Sequence, residues 1–114
     1  MGHGTCLITL DVNGEARYYQ GVIRSFRDKE SEKLFRRERS RAVPGNLNNA
    51  ALRKLLILEA AENLEDLRVP PGNRLERLKG DRAGQHSIRI NDRYRVCFSW
   101  RKGGADAVEI VDYH

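Results

Sequence analysis

The chain closes on Asp112-Tyr113-His114, three proton-active side chains in a row. Histidine titrates near neutral pH, aspartate takes a proton or fixes a histidine tautomer, and tyrosine donates to a developing oxyanion. In an extended strand Asp112 and His114 share one face and Tyr113 takes the other. Earlier in the chain, Lys79 and Arg95 are cations suited to a phosphate. These types together fit cleavage of an RNA backbone by its own 2′-hydroxyl. That reaction needs a base at the hydroxyl, cations on the pentavalent phosphate and an acid for the leaving oxygen. Arg95 and Lys79 suit the phosphate; Asp112, Tyr113 and His114 suit the proton transfers. A terminus that merely frays is the plain alternative for 112–114.

No Asp/Glu cluster of the kind that binds magnesium stands in the sequence, which disfavours a metal-dependent nuclease. Arg101-Lys102-Gly103-Gly104 reads as a hairpin turn and not as a phosphate-binding loop. Cys6 and Cys97 are isolated, with no C-x-x-C and no nearby His pair, so the pattern of a zinc site is missing. The sequence thus calls for no metal and no cofactor.

Charge sharpens the reading. The 114 residues hold 21 Lys and Arg against 16 Asp and Glu, a net +5, with a pI near 9.6. Between positions 74 and 102 stand nine basic residues (Arg74, Arg77, Lys79, Arg82, Arg89, Arg93, Arg95, Arg101, Lys102) and three acids (Glu76, Asp81, Asp92), a net +6. The rest of the chain carries −1. Seven of the nine are arginines, whose forked donors match phosphate oxygens. The segment is either a polyanion-facing surface or a solvated sheet face. A mean hydropathy of −0.66 and the lack of a long apolar run argue against a membrane span. No secretory pattern is evident, and Met1-Gly2 is followed by Cys6 where myristoylation requires Ser or Thr. A cytoplasmic protein of one domain is expected.

The elements that must position these groups follow from pattern. A short strand near Cys6-Leu7-Ile8-Thr9-Leu10 and a turn at 12–15 precede a strand at 22–26. Asp28 offers an N-cap to a polar helix over 29–39. A stronger helix over 47–67 carries Leu52, Leu55, Leu56, Ala60, Leu64 and Leu67 as an apolar stripe, and Pro70-Pro71-Gly72 ends it. Strands are predicted at 75–78, 85–90, 94–100 and 107–111, with Asn91-Asp92 as a two-residue turn. In the second of these, His86 aligns with Ile88 and Ile90 as a structural residue. The fold class is α+β: two helices packed on a small, mainly antiparallel sheet of about four strands.

Several of these stretches, taken together, resemble a known family. They are Pro70-Pro71-Gly72-Asn73-Arg74-Leu75-Glu76, the run from Leu78-Lys79-Gly80-Asp81-Arg82 through Gly84-Gln85-His86-Ser87-Ile88-Arg89, Tyr94-Arg95-Val96-Cys97-Phe98, and Val108-Glu109-Ile110-Val111-Asp112-Tyr113-His114. With Ile23-Arg24-Ser25-Phe26 ahead of them, they resemble the HigB branch of the RelE-like toxins, in order and spacing, over 22–114. The resemblance implies the RelE-like microbial ribonuclease-type toxin fold and a type II toxin–antitoxin toxin. Such a toxin is a ribosome-dependent ribonuclease that cuts mRNA, inhibits translation and is held inactive by a HigA-like helix-turn-helix antitoxin. The matching active positions are Lys79, Arg95, Asp112, Tyr113 and His114. Arg74, Arg77, Arg82, Arg89 and Arg93 would grip RNA backbone or simply solvate the sheet. Some members carry histidine where this sequence has Glu76, so that histidine's role is not carried over, and the weight of the general base shifts to Asp112 and His114. The resemblance also implies that residues 1–21 are an extension ahead of an ordinary start at Val22. The alternative is a module that binds RNA without cutting it, or that only titrates an antitoxin.

Overall fold

The computed structural model describes residues 21–113 and, ahead of them, the backbone of two short strands. These strands, β1 (Leu7–Leu10) and β2 (Ala16–Tyr19), pair antiparallel as a separate two-stranded sheet. Cys6, the turn expected at 12–15 and His114 lie outside the described residues.

The main sheet is an antiparallel meander in the order β3-β4-β5-β6: β3 (Glu76–Arg77), β4 (Gln85–Arg89), β5 (Tyr94–Arg101) and β6 (Gly104–Asp112). Two α-helices cover one of its faces, which is the predicted α+β architecture. The first, α1 (Lys29–Phe35), starts at Asp28, whose carboxylate accepts from Ser31 N at 3.2 Å. It is shorter than predicted, because Arg37 takes a left-handed φ of 61° and the chain turns away. Its buried face carries Leu34, and Ser31 Oγ accepts from Ile110 N at 3.0 Å, bonding helix to sheet. Phe35 packs on Phe26 with ring centroids 5.4 Å apart.

The second helix corrects the expected 47–67. Residues 45–47 form a 3-10 turn, α2 spans Asn48–Ala60, and a separate 3-10 helix covers Leu64–Arg68. Asn63 and Asp66 make the break. Asp66 N donates to Asn63 Oδ1, while Glu62 N and Asn63 N donate to Asp66 Oδ2, so side chains take over the backbone bonds of a continuing helix. The buried face of α2 is Ala51, Leu55 and Leu58, and the predicted Leu56 is exposed. Leu67 still reaches the core, and for that reason the apolar spacing seemed to run on. Truncating Leu58, fully buried, is worth about 2–5 kcal/mol.

The predicted strand at 22–26 is reduced to two parallel bridges to β6, Ile23 to Ala105 and Phe26 to Val108. Between them Ala107 sits at φ 53° and its N–H donates to Ser25 Oγ at 2.9 Å, a bulge that interrupts the ladder. Arg24 clamps the β5–β6 hairpin through the carbonyls of Arg101 and Lys102, both at 2.6 Å. A Cβ at Gly104 would lie 2.3 Å from that guanidinium carbon, so only glycine admits the clamp. The β4–β5 connection is longer than the expected two residues. It spans 90–93, and Asn91 Oδ1 accepts from the N–H groups of Arg93 and Tyr94.

Candidate active site

Alternation along β5 decides which side chains meet solvent together. Val96 and Phe98 point into the helix-covered core, with Tyr94 and Trp100 packed against it. Arg95 and Cys97 point the other way, yet both are buried. On this open face the register sets Arg89 opposite Arg95, Ser87 opposite Cys97, and Glu76 opposite Ser87. Six of the groups there and nearby, Arg74, Glu76, Arg89, Asn91, Asp92 and Arg95, line a cleft of about 240 Å³ with Tyr113.

Arg95 is the best anchored of them. Its Nε donates to Ser87 Oγ at 2.8 Å and one Nη donates to the carbonyl of Arg74 at 2.6 Å. The same Nη lies 3.6 Å from Glu76 Oε1, and the guanidinium carbon lies 6.0 Å from the centre of the Tyr113 ring. The Arg74 carbonyl is itself placed by packing. Asn73 is buried, its amide donates to the carbonyls of Leu67 and Val69, and its Oδ1 accepts from Lys54 Nζ at 2.6 Å. Arg74 then turns left-handed, at φ 44°, which presents its carbonyl to Arg95. A buried cation with two anchors is held where a phosphate can be met without reorganisation.

The other predicted residues scatter. Arg89 is in the cleft and pairs with Asp92, and Arg74 lies at its edge. Arg77 sits opposite His86 and so faces the helix side of the sheet, in a second depression with Leu64, Arg68 and Leu75. Arg82 is bonded to Glu109 at 2.8 Å and to Gln85 at 3.0 Å. That carboxylate holds the guanidinium more firmly protonated than usual. Lys79 is exposed ahead of the short turn Gly80–Arg82 and does not line the cleft.

The terminal residues separate as alternation requires. Tyr113 joins the cleft, whereas Asp112 faces Tyr94 in the register and makes a two-pronged pair with Arg93, at 2.8 and 2.9 Å. The pairing with Asp112 raises the Arg93 pKa. His86 lies nearly parallel to Phe98 with ring centres 6.2 Å apart, and burial lowers its pKa, with Arg77 adding to the effect. Glu76, Ser87, Asn91 and Asp92 are cleft or anchoring residues that residue types alone did not mark. The signal that finds Glu76 and Ser87 is the pairing register, which puts both on the face of Arg95.

Comparison with known proteins identifies the family. The chain is 47% identical over 81 residues to Toxin HigB-1 of Vibrio cholerae serotype O1, covering 70% of this chain and 85% of that protein. It is 41% identical over 58 residues to an uncharacterized protein of Haemophilus influenzae, covering 51% and 57%. It is 29% identical over 93 residues to Endoribonuclease HigB of Proteus vulgaris, covering 82% of this chain and all of that protein. A family model described as the RelE-like toxin of the type II toxin–antitoxin system HigB matches residues 24–114, a span that holds both helices, the whole meander and every wall of the cleft. The chain therefore belongs to the HigB family of RelE-like toxins of type II toxin–antitoxin systems.

Proposed function

We propose that this toxin is an endoribonuclease that cuts mRNA on the ribosome, without a metal ion, and so inhibits translation. The observation that carries the reading is the Arg95 guanidinium, held by Ser87 and the Arg74 carbonyl on the floor of a cleft that also presents Glu76, Arg89 and Tyr113. Fixed cations there meet the charge that grows on a pentavalent phosphate. The neighbouring groups accept or donate protons, so the 2′-hydroxyl serves as nucleophile. The relative named as an endoribonuclease, which the chain matches along that protein's whole length, supports the reaction class. Lys79 and His114 complete the proposed catalytic set with Arg95 and Tyr113, and Asp112, bonded to Arg93, serves it by holding the strand that presents Tyr113.

The partners on this reading are the ribosome, its mRNA and a HigA-like helix-turn-helix antitoxin in the cytoplasm. Among the described residues no helix is long and apolar enough to cross a membrane. On this reading the toxin domain is 22–114, a start supported by Ala105 N of the main sheet donating to the Val22 carbonyl at 2.8 Å.

Brief induction of the chain followed by mapping of transcript 5′ ends tests the reading. Wild type creates new ends within translated mRNA and stops growth, and Arg95→Ala does neither. Unchanged transcript ends with wild type, or equal arrest by Arg95→Ala, rejects it.

A further inference from the structure

Of the seven described side chains that line the cleft, six carry a charge or a phenolic hydroxyl, and Asn91 is the one amide. Charged groups meet phosphates, which are alike in every sequence, whereas an amide matches the edge of a base. From the way Asn91 is held we propose that it selects the base entering the cleft, favouring guanine and uracil over adenine and cytosine. The proposal rests on the endoribonuclease reading above.

Four hydrogen bonds tie down the β4–β5 loop that carries this side chain. Ile90 N and Asn91 N donate to the Tyr94 carbonyl at 2.9 and 3.3 Å. Arg93 N and Tyr94 N donate to Asn91 Oδ1 at 2.9 and 2.8 Å. An amide oxygen accepts and an amide nitrogen only donates. Two backbone donors at one end therefore fix that end as the oxygen, which a freely exposed asparagine does not allow. The acceptor is spent on the turn. What is left to the cleft is the Nδ2 amino group, which has no hydrogen-bond partner among the described residues. Arg89, the other cleft residue of β4, is turned onto Asp92.

The preference follows from this one-sided presentation. Asparagine reads adenine by donating to a ring nitrogen and accepting from the exocyclic amino group, which needs both ends of the amide. Here the accepting end is occupied, and that pairing is closed. A fixed donor alone suits a carbonyl, the O6 of guanine or the O4 of uracil. Adenine and cytosine carry an amino group at the matching ring positions. Two donors then face each other, and both stay unsatisfied where water is excluded. Because the loop is already bonded in place, no ordering of the side chain is needed on binding. Arg95 on the cleft floor fixes a phosphate, and Asn91 on the wall meets the base attached to it.

The test uses the full chain, cutting a defined mRNA on ribosomes in single turnover, with each base of one codon changed in turn. At one position, messages with guanine or uracil are expected to be cut roughly tenfold faster than those with adenine or cytosine. That is the scale of one hydrogen bond gained against one lost. Asn91→Asp keeps an oxygen for the N–H groups of Arg93 and Tyr94 and sets a second oxygen where the amino group stood. It is expected to reverse the order, with adenine and cytosine faster by a similar factor. Asn91→Ala is expected to level the four bases. The ratios are taken within each protein, so a slower variant still gives its answer. Equal rates for all four bases with wild type, or the wild-type order kept by either variant, overturns the proposal and leaves the endoribonuclease reading standing. Messages left whole by wild type reject that reading, and the proposal falls with it.

Discussion

Ser87 and Arg95 meet diagonally across β4 and β5, with the guanidinium Nε donating to the serine hydroxyl at 2.8 Å and both residues buried. The bond holds a cation in a nearly dry position, so removing the hydroxyl leaves a buried donor without its acceptor. Ser87→Ala is expected to cost about 1–3 kcal/mol in a denaturant titration. It should also slow RNA cleavage by roughly tenfold, because the guanidinium gains freedom at the phosphate. An Arg95 that moves no substrate would give the stability loss without the rate loss.

The sheet sorts the arginines, and the sorting can be read in salt dependence. Arg74 and Arg89 line the cleft, whereas Arg77 faces the helix side and Arg82 is bonded to Glu109. Arg74→Ala and Arg89→Ala are each expected to lower the slope of log affinity against log salt for a short single-stranded RNA by about 0.7. Arg77→Ala should leave the slope near that of wild type. Equal slopes for all three variants would mean that RNA does not enter this cleft.

Arg93 links the two ends of the last hairpin pairing. Its guanidinium holds Asp112 and its carbonyl accepts from Tyr113 N at 2.5 Å, so Asp112 acts on the cleft by fixing the strand that presents Tyr113. Asp112→Asn and Arg93→Ala should each lower cleavage, and the double variant should fall no further than the worse single one. Fully additive losses would show that Asp112 has a separate task at the reacting atoms.

Cys97 sets an upper pH limit on stability. Burial pushes its thiol from the ordinary 9.0 up to about 11, with Glu109 adding to the rise and Arg82 and Arg95 opposing it. The folded state therefore keeps the proton that the unfolded chain loses. Stability from this group is complete below pH 9.0 and is lost as pH climbs toward about 11. Denaturant titrations across that window should show a decline of roughly 2 kcal/mol that Cys97→Ala lacks. Parallel declines in the two proteins would assign the loss to other groups.

Much of the fold was legible from local pattern. The Asp28 cap, the strand beginning at Tyr94, the hairpin turn at Lys102-Gly103 and the order of helices before the main sheet's strands all stand as read. Where reading failed, a side chain had intervened in the backbone: Asn63 and Asp66 ended a helix whose apolar spacing continued, and Asn91 lengthened a turn. These bonds are invisible to periodicity, which counts only faces.

For the site, the sequence by itself determined the residue types, the run of arginines, the string of motifs that marks the family, and the separation of Asp112 from Tyr113 on opposite faces. Those follow from composition and from the two-residue repeat of a strand, both properties of adjacent positions. Only the tertiary structure decided that Arg74, Arg89 and Arg95 share a cleft with Glu76, that Arg82 and Arg93 are held by Glu109 and Asp112, and that Arg77 lies on the other side. Strand register, and loops such as the one Asn73 ties down, make those choices through bonds between residues distant in the chain, and no local pattern encodes them.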